Sequence, residues 1–191
     1  MTTATQVLRQ EHDAILRMLE ATEEAARQLA AGEHLEPRIL DGLLEFFRLF
    51  ADRCHHGKEE DLLFPKLQEK GMPRNMGPIG VMLIEHDQGR ALVRQMQQAA
   101  LEYQQGRSGA ASRWAEAARG YIALLREHIY KENQILFVMA ERMLTDEEQR
   151  ELSARFEVVE EEKMGAGTHQ RLHALMEQLW NEIWKVNAAA R

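Results

Sequence analysis

The sequence holds a single cysteine, Cys54, in 191 residues. An internal disulfide is thereby excluded. The opening stretch MTTATQVLRQ has no apolar signal-peptide core, so a reducing, cytoplasmic setting is expected. Positive charge is also short: 24 Lys and Arg against 31 Asp and Glu give a formal net charge of −7. With no basic stripe to neutralise phosphates, the chain does not read as a nucleic-acid binder. No apolar run approaches the roughly 18 residues that span a bilayer, so no membrane insertion is expected. Pro-rich or Ser-rich linkers and low-complexity stretches are missing as well. What is present is a 45% hydrophobic composition in a chain long enough to bury one sizeable core.

That apolar content recurs with helical period almost throughout. Thr3 and Gln6 form a capping-box signature, after which Leu8, His12, Ile15, Leu16 and Leu19 keep one stripe until Gly32. Pro37 suits a first helical position. From there Leu40, Leu44, Phe47, Ala51, His55, Glu59, Leu62 and Leu63 share one face, and Pro65 is expected to kink or end the helix. A loop between Gly71 and Pro78 leads to a third stripe, Ile79, Met82, His86, Val93 and Met96, closing near Gly106. A fourth begins near Ser108 and turns Tyr121, Leu124, Leu125, His128, Glu132, Ile135, Leu136 and Met139 inward. Four long helices on short connections predict an all-α protein with an up-down-up-down four-helix bundle over residues 1–144.

Residues 145–191 carry two additional C-terminal helices. Thr145 and Glu148 make a second capping box, Gly165-Ala166-Gly167 breaks the fifth helix, and Thr168 caps a sixth reaching about Val186. This extension is expected to pack on the bundle. Trp180 and Trp184, one turn apart, read either as the anchor of the last helix or as part of a homodimer face.

Two stretches are imperfect copies of one another. HHGKEEDLLFP, from His55, matches HIYKENQILFV, from His128, as His-x-x-Lys-Glu-x-x-(Leu/Ile)-Leu-Phe, and Glu11-His12-Asp13 matches Glu85-His86-Asp87. The order His, then His-x-x-x-Glu, therefore runs along the chain twice, as in a duplicated helical hairpin whose halves each supply one wall of a two-metal site. One His-x-x-x-Glu carries little weight. Position carries more: His12, His55, Glu59, His86, His128 and Glu132 all fall on apolar stripes, where an unpartnered carboxylate or imidazole is costly to bury. Residues i and i+4 stack on one helix face, so a His and a Glu from one helix can reach one metal or two neighbouring metals. Imidazole with carboxylate and no thiolate suits iron, with manganese or zinc as alternatives, and is poor for calcium.

At these residues the chain resembles the hemerythrin-like family, whose bundles are called hemerythrin HHE cation-binding domains. The resemblance spans roughly residues 5 to 144. Its markers are EHD around His12, HHGKEEDLLFP, MGPIGVMLIEHDQGR and EHIYKENQILF. It implies a non-haem di-iron site on His12, His55, Glu59, His86, His128 and Glu132. Oxygen-carrying members have a further His four residues after the third-helix His and an Asp five residues after the fourth-helix His; here those places hold Arg90 and Asn133. The chain is thus similar to the subset with four His and two Glu, which implies iron repair, reaction with nitric oxide or peroxide, or oxygen or iron sensing.

Other polar residues receive plainer expectations. His56 and Glu60 lie about 100° from the inward stripe and are expected in solvent. The same holds for Glu11, Glu85 and Glu127, although each could accept a hydrogen bond from an imidazole of another helix. Arg90 either tunes the site or pairs with a carboxylate of a neighbouring helix, and Gly89 either leaves room for a ligand or permits close packing. Cys54 reads as a small core residue. His169, His173 and Glu177 share one helical stripe that could form a second metal site or a lid. Three functional classes follow: a di-iron protein reacting with oxygen, peroxide or nitric oxide; a sensing module whose metal state controls the C-terminal helices; and a structural or metal-storage bundle.

Overall fold

The computed structural model describes residues 2–165 and 167–189; Ala166, in the expected turn, lies outside them. Among the described residues there are six helices and no strands. We label them α1 (Ala4–Ala30), α2 (37–69), α3 (Gly77–Gln104), α4 (110–143), α5 (Asp146–Met164) and α6 (Thr168–Ala189). Both capping boxes form: the Thr3 and Thr145 side chains accept from the Gln6 and Glu148 amides, and the Gln6 and Glu148 side chains accept from the amides of the two threonines.

The first four helices make the bundle, with α4 lying against both α1 and α3, and α2 against α3. Helices α5 and α6 each pack on α1 and α2. Helix α6 comes close to α2 at Gly42, where a Cβ would meet the end of the Leu179 side chain at 2.9 Å. Trp180 is half buried on the main core beneath the Arg17 guanidinium, 4.8 Å from its ring, whereas Trp184 remains 40% exposed.

Apolar side chains collect in two clusters. One runs from Ile15 to Leu29 on α1, Ile39 to Ala51 on α2, Val93 to Ala100 on α3 and Trp114 to Ile129 on α4, and takes in Leu172 to Ile183 of α6. The other holds Ala4 and Leu8, Leu62 to Leu67, Ile79 and Met82, Leu136 to Leu144, and Leu152 and Phe156 of α5. Every bundle helix crosses from one cluster to the other at its His or His-x-x-x-Glu residues. The polar residues therefore form a layer across the middle of the bundle.

Helices α2 and α4 widen where they cross that layer. Phe47–His56, Glu59–Leu63 and Glu132–Leu136 are π-helical. Amides reach five residues back, from Gly57 to the Asp52 carbonyl, from Phe64 to Glu59 and from Phe137 to Glu132. Pro65 neither ends α2 nor stops its continuation to Glu69, because the widened turn before it relieves the clash of a proline ring with the carbonyl four residues earlier. A wider turn also rotates the chain by less than about 100° per residue. The stripe on α4 shifts accordingly: Ile135, expected inside, is 48% exposed, and Phe137 is buried in its place beside Leu136, which lies inside as expected.

Candidate metal centre

Helices α1, α2, α3 and α4 bring His12, His55, Glu59, His86, His128 and Glu132 together, all buried, in the mid-bundle layer. The carboxylates occupy its centre. Glu59 Oε1 lies 3.7 Å from His55 Nε2, and its Oε2 lies 3.5 Å from His86 Nε2. Glu132 Oε2 lies 3.1 Å from His12 Nε2, and its Oε1 lies 3.3 Å from His128 Nε2. Each carboxylate thus spans two sides, with His12 and His55 on one and His86 and His128 on the other.

The remaining ring nitrogens fix how these imidazoles present themselves. His55 Nδ1 donates to Glu11 at 2.9 Å, His86 Nδ1 to Glu60 at 2.7 Å, and His128 Nδ1 to Glu85 at 3.0 Å. His12 Nδ1 donates to Asn133 Oδ1 at 3.0 Å. Because an ionised carboxylate only accepts, the protons of His55, His86 and His128 sit on Nδ1 and their Nε2 lone pairs face the centre, while His12 Nε2 hydrogen-bonds Glu132. Lys58 bonds Glu11, and Lys131 bonds Glu85. The sequence duplication therefore extends outward, from imidazole to glutamate to lysine, in both halves. Phe137 stacks on His12 with ring centroids 5.4 Å apart, and Phe64 on His86 at 6.0 Å.

Electrostatics favour a cation. Burial drives the His55 and His86 imidazoles below their usual range, which keeps them neutral. Burial, together with the facing Glu132 charge, drives Glu59 well above the usual carboxylate range. Glu132 goes the other way: burial alone would raise it, but the facing His128 imidazole and the hydrogen bond with His12 outweigh that. Nε2 of His55, His86 and His128, both oxygens of Glu59 and Oε1 of Glu132 are buried without a hydrogen-bond partner. Buried polar atoms are nearly always satisfied. These six converge, and all are metal-ligand atoms; the other unsatisfied buried atoms among the described residues are Gln28 Oε1, Trp114 Nε1 and His56 Nδ1. The donor set fits metal ions.

Several side chains lie elsewhere than the sequence suggested. His56, expected in solvent, is 5% exposed, because π winding turns it toward the His55 face. Glu60 is half buried and held down to a pKa of about 2: burial alone would raise it, but the His86 and Arg90 hydrogen bonds prevail. Glu11 is buried and Glu85 half buried as hydrogen-bond acceptors, while Glu127 is exposed as expected. Arg90 pairs with carboxylates, through Nε to Asp52 at 2.8 Å and through a terminal nitrogen to Glu60 at 2.6 Å. Glu160 of α5 accepts from Lys58 at 2.8 Å. His169 and His173 pack on the Phe50 ring, whereas Glu177 is drawn away to Arg17. A further group, Glu11, Glu160 and His169, is close enough for a metal, but the Lys58 ammonium already bridges its two carboxylates.

A family model, the hemerythrin HHE cation binding domain, matches residues 3–140. The chain belongs to this family. It is a metal-binding, hemerythrin-like protein with two helices beyond the bundle. Uncharacterized proteins of Mycobacterium bovis and Mycobacterium tuberculosis are 25% identical to it over 168 residues, 88% of this chain and 65% of theirs. The hemerythrin-like chain thus spans just under two thirds of these relatives. An iron-sulfur cluster repair protein, YtfE, of Yersinia pseudotuberculosis is 37% identical over 94 residues, 46% of this chain and 41% of that protein. No solved structure matches the chain significantly. No helix among the described residues is long and apolar enough to cross a membrane.

Proposed function

We propose that this protein holds two iron ions on His12, His55, Glu59, His86, His128 and Glu132 and reacts with small oxidants, oxygen, peroxide or nitric oxide, in stress response or iron handling. The observation that carries the reading is the pair of buried carboxylates whose two oxygens face imidazoles on opposite sides of the layer. A carboxylate so placed can bridge two cations and offset their repulsion. Neutral imidazoles with carboxylates and no thiolate suit iron among the common metals. Bound iron supplies one-electron chemistry with small oxidants. The protein's own contribution is to fix the Nε2 lone pairs through the Nδ1 hydrogen bonds and to close both sides of the layer with Phe64 and Phe137. The Yersinia protein's iron-sulfur cluster repair function supports iron handling.

A second reading, a sensing module without turnover, has one observation in its favour. Glu11 accepts from His55 and from Lys58, and Lys58 also bonds Glu160 of α5, so a bound metal and the C-terminal helices share one polar network. Anaerobic purification with metal analysis, followed by exposure to peroxide or nitric oxide, tests both readings. About two irons per chain with rapid consumption of the oxidant is expected. Two irons without consumption, together with metal-dependent protease cleavage beyond residue 145, would favour sensing, and absence of bound metal would overturn both.

A further inference from the structure

The two halves of the layer are alike in nearly every polar position but one group. Pairing the halves residue by residue sets His55 against His128, Glu59 against Glu132, Lys58 against Lys131, Glu11 against Glu85, Glu60 against Asn133 and Phe64 against Phe137. In the same alignment His56 meets Ile129, Asp52 meets Leu125 and Arg90 meets Leu16. Three polar residues, two on α2 and one on α3, thus stand where the repeat has apolar ones. They also touch one another: His56 Nδ1 lies 3.4 Å from Asp52 Oδ1, and the Arg90 guanidinium holds Asp52 and Glu60 together.

This group resembles the ligand imidazoles in part. His12, His55, His86 and His128 each hydrogen-bond through Nδ1 to an acid or amide oxygen, whereas His56 Nδ1 faces the Asp52 carboxylate, one turn earlier in α2, from 3.4 Å without a hydrogen bond. Its ring is buried and stacks on His86, with centroids 3.8 Å apart and planes 15° from parallel. His56, Glu59, His86 and His128 each offer a ligand atom within 4.8 Å of the others, as do His12, His55, Glu59 and Glu132. A plain core role explains this poorly, because an isoleucine fills the equivalent place in the other half without any polar atom to satisfy.

We infer that His56 is a fifth imidazole ligand, serving the metal on the His86 and His128 side, with Asp52 as its orienting carboxylate and Arg90 as the clamp on the carboxylates behind both His56 and His86. Arg90 is then a positioning residue, and the two metals differ: one has three imidazoles and the other two. A cavity of about 190 Å³, lined by Phe47, Asp52, His56, Gly89, Arg90 and Tyr121, opens at this group. It places the approach of small molecules on the three-imidazole side. The inference rests on the two-metal reading given above.

Zinc is the probe for the test. Full-length protein labelled with ¹⁵N-histidine and loaded with Zn²⁺ should show five metal-bound imidazole nitrogens by NMR, and a count of four overturns the inference. In parallel, His56→Ile copies the other half. It should release one of two zinc ions to a competing chelator at least about tenfold more readily than the wild type, the scale expected even for loss of an orienting partner, and hold the second unchanged. Unchanged release of both also overturns the inference. Glu59→Ala separates the two levels: retention of both ions there defeats the two-metal reading itself, whereas loss of metal there with an unaltered His56→Ile confines the failure to His56. If His56→Ile lacks wild-type helicity by circular dichroism, the nitrogen count on the wild type decides.

Discussion

Glu59 shows at single-residue scale why this interior suits a cation. Its carboxylate has imidazole nitrogens near both oxygens yet no hydrogen bond, and burial beside Glu132 pushes its pKa well above normal. Cys54, buried close by on α2, shifts in the same direction. Its buried thiol, beside the Glu11 and Glu160 carboxylates, is pushed up to about 12, so it stays a protonated core side chain rather than a nucleophile. The consequence for stability has a definite sign. An unfolded thiol ionises near its ordinary 9.0 while the folded one keeps its proton to about 12. Between those values the unfolded state binds fewer protons and stability falls with rising pH. Comparing urea midpoints of wild type and Cys54→Ala, the wild-type advantage present at about pH 7 is expected to shrink between about pH 9 and pH 11; an advantage that grows there would contradict the burial described.

At the scale of helices, α2 ties the metal layer to the C-terminal extension. Lys58 is fully buried, its ammonium shared between Glu11 of α1 and Glu160 of α5, and the two carboxylates together outweigh burial and raise its pKa. Removing one partner of a buried pair leaves an uncompensated charge. Lys58→Met is therefore expected to destabilise the metal-free protein by about 3 kcal/mol in urea unfolding. The double variant Glu11→Gln, Lys58→Met should recover part of that loss, since no bare carboxylate remains at position 11. If the double variant is worse than the sum of the two single changes, the pair is not the link assigned to it.

Across the whole molecule, a polar layer separates two apolar clusters. The metal-free fold must keep several unsatisfied polar atoms in its interior, and metal binds only the folded arrangement. Loading with iron is expected to stabilise the protein by about 4 kcal/mol when free metal exceeds its dissociation constant a thousandfold, or about 10 °C in Tm for a chain of this size. Scanning calorimetry of apo and loaded protein measures this directly. Equal melting temperatures would show that the layer does not bind metal in the native state.

Helical period, both capping boxes, the bundle and the six polar residues on inward stripes were all legible in the sequence, because an α-helix fixes which side chains share a face and the duplication marks the same face twice. Two kinds of information were not. Which residues stand behind the imidazoles depends on pairs far apart in the chain, such as Glu11 with His55 and Glu85 with His128, and only packing brings them within hydrogen-bond reach. The inward turn of His56 and the exposure of Ile135 depend on π winding, which changes the rotation per residue that any stripe assumes. Sequence by itself determined the fold class and the polar layer; tertiary structure decided the outer hydrogen bonds, the clamp at Arg90 and the stacking of His56 on His86, since these arise where the helices meet and not along any one of them.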